Sequence, residues 1–346
     1  MESKKLESFL NQNFSFNERV EAFRKRKLYS LEVELTGVCN LSCFYCYANQ
    51  DSKISLSFDS AKKLIDGAED YEIKMISWLG GEPTLNPDWE KIIKYSKEKG
   101  LKNELWTNGT TLLDNAETIK EVCDKVVLHL DSIDYEAFAS TQERNVVPEI
   151  HSNVLRGLGH LLDLGYSSDK IRLSVVLSRK TLPHLEKTMK YFYPDKVGSI
   201  TLIPLFATGK GAETDDNYFL NQGELKKSFE MRAFIENRPE RLLTGSAEYD
   251  KWYQMTTAYI RTDGDVSPYA GLDVSFGNIY EKDLREILEG SFDLLSFSQA
   301  VEKGGAMNKI NGKCGKCQSS KYCFGTRANS YFTFGNFLES DNTCWE

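Results

Sequence analysis

The sequence lacks three features that would tie its function to membranes, export or nucleic acids. No apolar run approaches the roughly 20 residues of a membrane span. The N-terminus is polar and charged, and no secretory signal is visible in it. Acidic residues outnumber basic ones, 51 to 43, for a formal net charge of −8, whereas phosphate binding calls for a basic surface. We therefore expect a cytoplasmic protein whose partners include neither a membrane nor a nucleic acid.

Cysteine is also missing over a long stretch, between Cys123 and Cys314. Seven of the eight cysteines lie in two groups, with Cys123 apart from both. Thiols stay reduced in the cytoplasm, so grouped cysteines indicate metal binding rather than disulfides.

The first group is a Cys-x3-Cys-x-aromatic-Cys motif formed by Cys39, Cys43 and Cys46, just after an apolar, strand-like stretch. A structural zinc site is closed by four ligands. An Fe–S cluster held by only three cysteines keeps one iron free for a ligand that is not protein. The motif therefore indicates chemistry rather than scaffolding.

Strand-like and helix-like segments alternate along the first two thirds of the chain. The strand candidates are residues 31–35, 74–79, 103–106, 125–130, 171–177 and 199–205. Strands separated by helical crossovers form a parallel sheet, and six units fall short of a full eight-unit barrel. We predict an α/β fold, a partial (β/α)6 TIM-like barrel followed by a small cysteine-rich C-terminal domain.

Active-site residues of such barrels follow the carboxyl ends of the strands. The cysteine motif, Gly80-Gly81-Glu82-Pro83, Asn108 and Asp131 all occupy such positions. After about residue 211 the alternation stops, and residues 259–266 predict a hairpin with an Asp-Gly turn.

The cysteine motif resembles the cluster-binding motif of the radical S-adenosylmethionine (SAM) superfamily. The resemblance implies a 4Fe–4S cluster on Cys39, Cys43 and Cys46, whose open iron chelates the amino and carboxylate groups of SAM. Gly80, Gly81, Glu82 and Pro83 are similar to the GGEP segment that binds the SAM amino group in that family. The resemblance also implies reductive cleavage of SAM, with a flavodoxin- or ferredoxin-type protein as the electron donor.

The second cysteine group comprises Cys314, Cys317, Cys323 and Cys344. On residues alone, a structural zinc knuckle explains it well. The group also resembles the C-terminal half of a SPASM domain, an extension that holds auxiliary 4Fe–4S clusters in peptide-modifying members. The further cysteines of a full SPASM domain are missing, and Arg327 stands at one of their positions. The resemblance thus implies one auxiliary cluster, two 4Fe–4S clusters in total, and a role in electron transfer or structural support.

The predicted segments are an N-terminal helical segment (1–27), the barrel (28–210), a helical linker (211–258) and the SPASM-like domain (259–346). Asn108 is a candidate cofactor-binding residue and Asp131 a candidate catalytic one, although both are also common turn formers and helix caps. His129 lies two residues from Asp131 and could share its inward face; it is interpreted as a satisfied core histidine, with a catalytic histidine as the alternative. Cys123 is interpreted as a small buried hydrophobe, with a hydrogen-atom-donating thiol as the alternative.

The resemblance implies an enzyme that cleaves SAM to a 5′-deoxyadenosyl radical and abstracts a substrate hydrogen. We expect it to oxidise or cross-link a ribosomally made peptide. One alternative is a dehydrogenase, epimerase or decarboxylase acting on a sugar or nucleoside in antibiotic biosynthesis. An alternative of another class is a non-catalytic zinc-binding interaction protein.

Overall fold

A single sheet of eight strands organises the fold, in a computed structural model that describes residues 2–48, 53–300 and 309–346. The strand order is β6-β5-β4-β3-β2-β1-β7-β8, and all neighbours are parallel except β7 and β8. The strands are β1 (Ser30–Glu34), β2 (Met75–Leu79), β3 (Lys102–Thr107), β4 (Lys125–His129), β5 (Ile171–Leu177), β6 (Ser199–Pro204), β7 (Thr257–Ile260) and β8 (Val266–Ser267).

Helices connect the parallel strands and cover the outer face of the sheet. The helices are α1 (Glu2–Phe14), α2 (Phe16–Arg24), α3 (Phe58–Tyr71), α4 (Trp89–Glu98), α5 (Leu112–Val122), α6 (Tyr135–Ser140), α7 (Pro148–Asp163), α8 (Leu185–Phe192), α9 (Gln222–Ile235), α10 (Lys251–Met255), α11 (Leu284–Gly290), α12 (Phe292–Leu295), α13 (Gly312–Lys316) and α14 (Arg327–Phe334). The predicted α/β partial barrel is confirmed.

Side chains alternate between the two faces of each strand, as the period of two requires. Leu31 and Val33 of β1 are fully buried in the main hydrophobic cluster with residues of α3. The opposite face, inside the barrel, is polar: Arg172 Nη2 lies 2.8 Å from Glu104 Oε1, and the Ser77 hydroxyl donates to Glu104 over 3.1 Å. The helices thus pack on an apolar outer face, while the barrel interior holds a buried ion pair.

The hairpin predicted at residues 259–266 is present as β7 and β8, but β7 does more than form a hairpin. It pairs in parallel with β1, beginning with Ser30 opposite Thr257. The predicted segment boundary at 259 therefore falls inside a strand of the barrel sheet. Pairing with β7 supplies the backbone partners that an edge strand lacks.

The two N-terminal helices lie against the amino ends of the strands. The buried Arg19 of α2 donates to the hydroxyls of Thr256 and Thr257 over 3.0 Å each. Its guanidinium carbon lies 4.2 Å from the ring centroid of Tyr253, and Lys125 Nζ at the start of β4 donates to the Asn13 carbonyl over 2.7 Å. This segment closes the barrel at the end opposite the predicted site.

No helix in the described ranges is both long enough and apolar enough to cross a membrane.

Candidate active site

The first cysteine group opens into a pocket of about 200 Å³ at the carboxyl ends of the strands. Cys39, Cys43 and Cys46 line it together with three of the six other residues predicted for this site, namely Gly80, Gly81 and Asn108. Glu82 and Asp131 lie behind the pocket wall, 0% and 2% exposed, and Pro83 begins a short turn of 3₁₀ helix. The fold thus brings residues from three strand ends to one place.

The glycine segment holds the cysteine loop by direct backbone contact. The Gly81 N–H donates to the Thr36 carbonyl over 2.7 Å, and the Glu82 N–H donates to the Val38 carbonyl over 2.8 Å. A Cβ on Gly80 would lie 2.3 Å from the Thr36 oxygen, and one on Gly81 would lie 2.2 Å from the Val38 oxygen. Any side chain at either position would push the cysteine loop away, so both glycines are required for this approach.

Glu82 links the end of β2 to the end of β3. Its Oε1 accepts hydrogen bonds from the hydroxyls of Thr84 (2.7 Å) and Thr107 (2.9 Å). Its Oε2 accepts from the Asn108 N–H over 2.8 Å. Burial raises the pKa of this carboxyl, and the hydrogen bonds oppose the rise. The carboxylate is thus engaged within the protein, and its predicted role toward the SAM amino group stays a prediction.

Asn108 turns its side chain toward the cysteine loop. Its Nδ2 donates to Asn40 Oδ1 over 3.0 Å and lies 3.6 Å from Cys39 Sγ, which also accepts from the Leu41 N–H over 3.5 Å. Burial raises the pKa of the Cys39 thiol. Coordination reverses that effect, because metal-bound thiols lose their protons, and N–H donors stabilise the resulting thiolate. The surroundings of Cys39 therefore fit a cluster ligand.

A network that sequence reasoning missed joins the cysteine motif to β4. The Tyr45 hydroxyl, from the aromatic position of the motif, donates to Asp131 Oδ2 and lies 2.7 Å from His129 Nε2. Asp131 Oδ1 accepts from the Val176 N–H over 3.0 Å. Because the single hydroxyl proton of Tyr45 goes to Asp131, the Tyr45 oxygen is left as an acceptor toward Nε2 of His129.

His129 lines the pocket, which differs from its interpretation as a core histidine. The sequence does hold a signal for this position. Val126 and Leu128 are buried in the main hydrophobic cluster, so the alternation along β4 places His129 on the opposite, inner face.

The second cysteine group also surrounds one small cavity, of about 20 Å³, lined by all four of its members: Cys314, Cys317, Cys323 and Cys344. Backbone N–H groups donate to three of the sulfurs: Gly325 to Cys323 over 3.2 Å, and Ser319 to Cys317 and Asp341 to Cys314 over 3.4 Å each. Four converging thiols with N–H donors fit a metal centre with four thiolate ligands.

Within the described ranges, no group of three or more His, Cys, Asp or Glu side chains is arranged to hold a single metal ion, so the fit of the two cysteine groups is to the larger 4Fe–4S cluster, which spreads its ligands further apart.

Cys123 lies far from both cysteine groups. It is buried in the main hydrophobic cluster, and burial raises the pKa of its thiol. Its carbonyl accepts from the Tyr166 hydroxyl over 3.2 Å. Since it directly precedes β4, it sits at the amino end of the strands, away from the pocket, which agrees with a packing role.

Two sequence families match the chain. The model of the radical SAM superfamily matches residues 33–192, and that of the SPASM iron–sulfur cluster-binding domain matches residues 252–319. The chain belongs to the radical SAM superfamily. It is a SPASM-containing member, and the two domains imply SAM and Fe–S clusters as cofactors. Membership argues against the non-catalytic zinc-binding alternative.

Characterised relatives extend over most of the chain. An AdoMet-dependent heme synthase of Methanosarcina barkeri is 25% identical over 90% of this chain and 94% of its own length. A probable GTP 3′,8-cyclase of Sulfurisphaera tokodaii is 27% identical over 71% of this chain and 74% of its own length.

Solved structures share the fold at lower identity. Streptococcus suis SuiB bound to its precursor peptide SuiA superposes with a TM-score of 0.70 at 16% identity, over 95% of this chain and 80% of SuiB. The anSMEcpe structure with bound AdoMet and Cp18Cys peptide gives 0.67 at 19% identity, over 91% of this chain and 93% of that chain.

Proposed function

We propose that this radical SAM enzyme abstracts hydrogen from a ribosomally made peptide and oxidises or cross-links it. Cys39, Cys43 and Cys46 would hold the catalytic 4Fe–4S cluster, and a flavodoxin- or ferredoxin-type donor would reduce it. When bound, the cluster and SAM supply one-electron cleavage of SAM to methionine and a 5′-deoxyadenosyl radical that takes a substrate hydrogen. The observation that carries this proposal is the convergence of the cysteine loop, the glycine segment and Asn108 on one pocket.

The residues around the pocket would position SAM and exclude water. Gly80 and Gly81 keep the cysteine loop close to the end of β2, while Glu82 and Asn108 hold the end of β3 against the same loop. Predominantly apolar walls, including Leu79 and Val176, keep the reacting groups from bulk water.

A groove beside the pocket offers a place for the substrate. It has a volume of about 650 Å³ and shares Pro204 and Leu205 with the pocket. Because the cluster and SAM would occupy the pocket that the motif residues line, a substrate would approach from this groove. Amide and aromatic side chains, which suit the backbone and side chains of a peptide, line it: Asn221, Gln222, Asn329, Asn342, Phe219 and Phe332.

The charge of the groove favours a peptide over the compounds in the names of two of the relatives, GTP as a substrate and heme as a product. Among the described residues that line it, none is Lys or Arg, and Asp216 is acidic. GTP carries a triphosphate and heme carries carboxylates, and such anions call for cationic partners. A peptide without strong negative charge fits this lining better.

Oxidation of the peptide also releases a proton, and His129 is placed to accept it. His129 lines the pocket, whereas Asp131 is buried behind it and holds Tyr45, which in turn contacts His129. We assign His129 as the base and Asp131, the candidate catalytic residue from the sequence, as a positioning residue.

The four C-terminal cysteines would hold a single auxiliary 4Fe–4S cluster. With four protein ligands it has no open iron, so electron transfer suits it better than substrate ligation.

The test is deoxyadenosine formation by anaerobically reconstituted enzyme, with deuterated substrates of three classes: precursor peptides encoded beside the gene, sugars and nucleosides. We expect deuterium transfer into 5′-deoxyadenosine from a peptide. Phe332→Ala, in the groove, should raise the KM for that peptide, while Phe334→Ala, 52% exposed on the same helix and outside the groove, should not. Transfer from a sugar or nucleoside alone would select the alternative substrate.

A further inference from the structure

Arg327 is a fully buried cation beside the second cysteine group. It is 0% exposed and begins α14, at a position where a full SPASM domain carries another cysteine. Its Nη1 donates to the carbonyls of Phe337 and Glu339 over 2.7 Å each. In the part of the chain that the structure describes, Nε and Nη2 have no hydrogen-bond partner. A buried guanidinium with unpaired N–H groups is costly unless a negative charge lies nearby.

Three groups that can carry a negative charge act on this guanidinium: Cys314, Asp341 and Cys323. A Cβ placed on Gly325 would lie 2.7 Å from Arg327 Nη2, 2.7 Å from Asp341 Cβ and 3.2 Å from Cys314 Sγ, so the guanidinium and the sulfur flank the same glycine together with the Asp341 side chain. Burial lowers the pKa of Arg327, and negative charge on Cys314, followed by Asp341 and Cys323, opposes that change. Gly325 leaves space for the two groups to approach each other.

The buried carboxylate in this region is already committed elsewhere. Asp341 accepts hydrogen bonds from the Thr326 N–H (2.6 Å), from Asn329 Nδ2 (2.8 Å) and from the Thr343 N–H (3.0 Å). Across the described residues, no ion pair joins it to Arg327. Asp341 thus does not pair with Nε or Nη2 of Arg327, and these N–H groups remain available to the thiolate centre.

We propose that Arg327 is the built-in counter-charge of the auxiliary cluster and raises its reduction potential. The inference rests on the proposed function, in which the four cysteines hold a 4Fe–4S cluster. One-electron reduction adds one negative charge to the cluster without a proton, and a desolvated cation beside Cys314 stabilises that added charge. Arg327 is thus a positioning residue that acts through the cluster.

The experiment measures the midpoint potential of the auxiliary cluster by an EPR-monitored redox titration. Full-length protein with Cys39, Cys43 and Cys46 replaced by Ala serves as the background, because only the auxiliary signal remains. In Arg327→Met we expect the ratio of reduced to oxidised cluster, at the potential where the parent is half reduced, to fall about tenfold, equivalent to about 59 mV for one electron. Arg327→Lys, which keeps the charge, should shift the potential less than Met does.

Lys316→Gln is the matched control. It removes one positive charge at an exposed position between Cys314 and Cys317, where solvent screens it, and should leave the potential unchanged. If iron-loaded Arg327→Met keeps the parent potential, the proposed role of Arg327 is overturned while the auxiliary cluster stands. The same holds if Lys316→Gln shifts the potential as much as Arg327→Met does. If Met fails to retain iron, a Lys variant that holds iron at the parent potential supports the proposal, whereas a Lys variant that fails equally overturns it. Zinc in place of iron at the four cysteines would overturn the proposed auxiliary cluster and this inference together.

Discussion

At the scale of single residues, the site is held together by side chains that contact the motif loops instead of pointing into the empty pocket. Glu82 is the clearest case, since four groups, on Thr84, Thr107 and Asn108, donate to one buried carboxylate. Each of these donors would be left without its partner if the carboxylate were removed, at a cost of about 1–3 kcal/mol per buried group.

Glu82→Ala should therefore weaken SAM binding at least about tenfold, or about 1.4 kcal/mol, without releasing the iron assigned by the proposed function to Cys39, Cys43 and Cys46. Equilibrium binding of SAM and iron analysis on the same sample measure both effects. Glu82→Gln should bind SAM more tightly than Glu82→Ala and less tightly than the wild type, because its amide nitrogen cannot accept a hydrogen bond from the Asn108 N–H. Glu90→Ala, at an exposed site on α4, is the control. If Glu82→Ala lost its iron while Glu90→Ala kept it, this separation of roles would be contradicted.

At the scale of elements, a hydrogen bond joins β1 to α10 inside the barrel. The Tyr253 hydroxyl donates to Glu32 Oε1 over 3.0 Å. Burial raises the pKa of Glu32 from 4.5 to about 7, with the Glu104 charge adding to the rise and Tyr253 opposing it. Between those two pH values the folded protein keeps the Glu32 proton and the unfolded chain releases it. Glu32 therefore makes the protein less stable as pH rises through this window.

Glu32→Gln removes this penalty, so the variant should gain stability relative to wild type as pH rises from about 5 to 7, by about 1–3 kcal/mol. Denaturant unfolding of both proteins across that range measures the difference. Glu21→Gln, 54% exposed on α2, controls for the loss of one charge. A stability difference that stays constant with pH would show that Glu32 is ionised in the folded state throughout.

The elements themselves were largely predictable, because the information for them is local. Segments rich in apolar and β-branched residues, such as Ile171–Leu177, are long enough to identify strands, and Asp263-Gly264 identified the turn of the hairpin. The pairing of β7 with β1 was not predictable in this way, since it joins residues that lie more than 200 positions apart in the sequence. The same holds for Tyr45, His129 and Asp131: each residue is visible in the sequence, but their contact depends on how the cysteine loop folds back over β4.

At the scale of the whole molecule, seven cysteines divide into a group of three and a group of four at separate cavities. Two 4Fe–4S clusters follow if each group holds one, so the anaerobically reconstituted chain should contain about eight iron atoms. Replacing Cys314, Cys317, Cys323 and Cys344 by Ala should leave about four, and replacing the first three should abolish deoxyadenosine formation.

Iron and sulfide analysis of the three proteins, with zinc measured in parallel, checks these numbers. About twelve irons per chain would require a further cluster, and zinc at the second group would replace the auxiliary cluster by a structural site. Deoxyadenosine formation at the wild-type rate without Cys39, Cys43 and Cys46 would contradict the catalytic assignment.

The parallel pairing of β7 with β1 also limits how this protein can be recombined with its relatives. A chimera that exchanges the C-terminal region at residue 259 would cut through β7 and join two halves of a strand evolved in different chains. A crossover in the loop ahead of α10 would instead carry the whole of β7, with Thr256 and Thr257, and leave its contacts with β1 and Arg19 to be matched by the N-terminal part of the chain. Because those contacts reach back to α2, the compatible unit of exchange includes the N-terminal helices, although they lie at the other end of the gene.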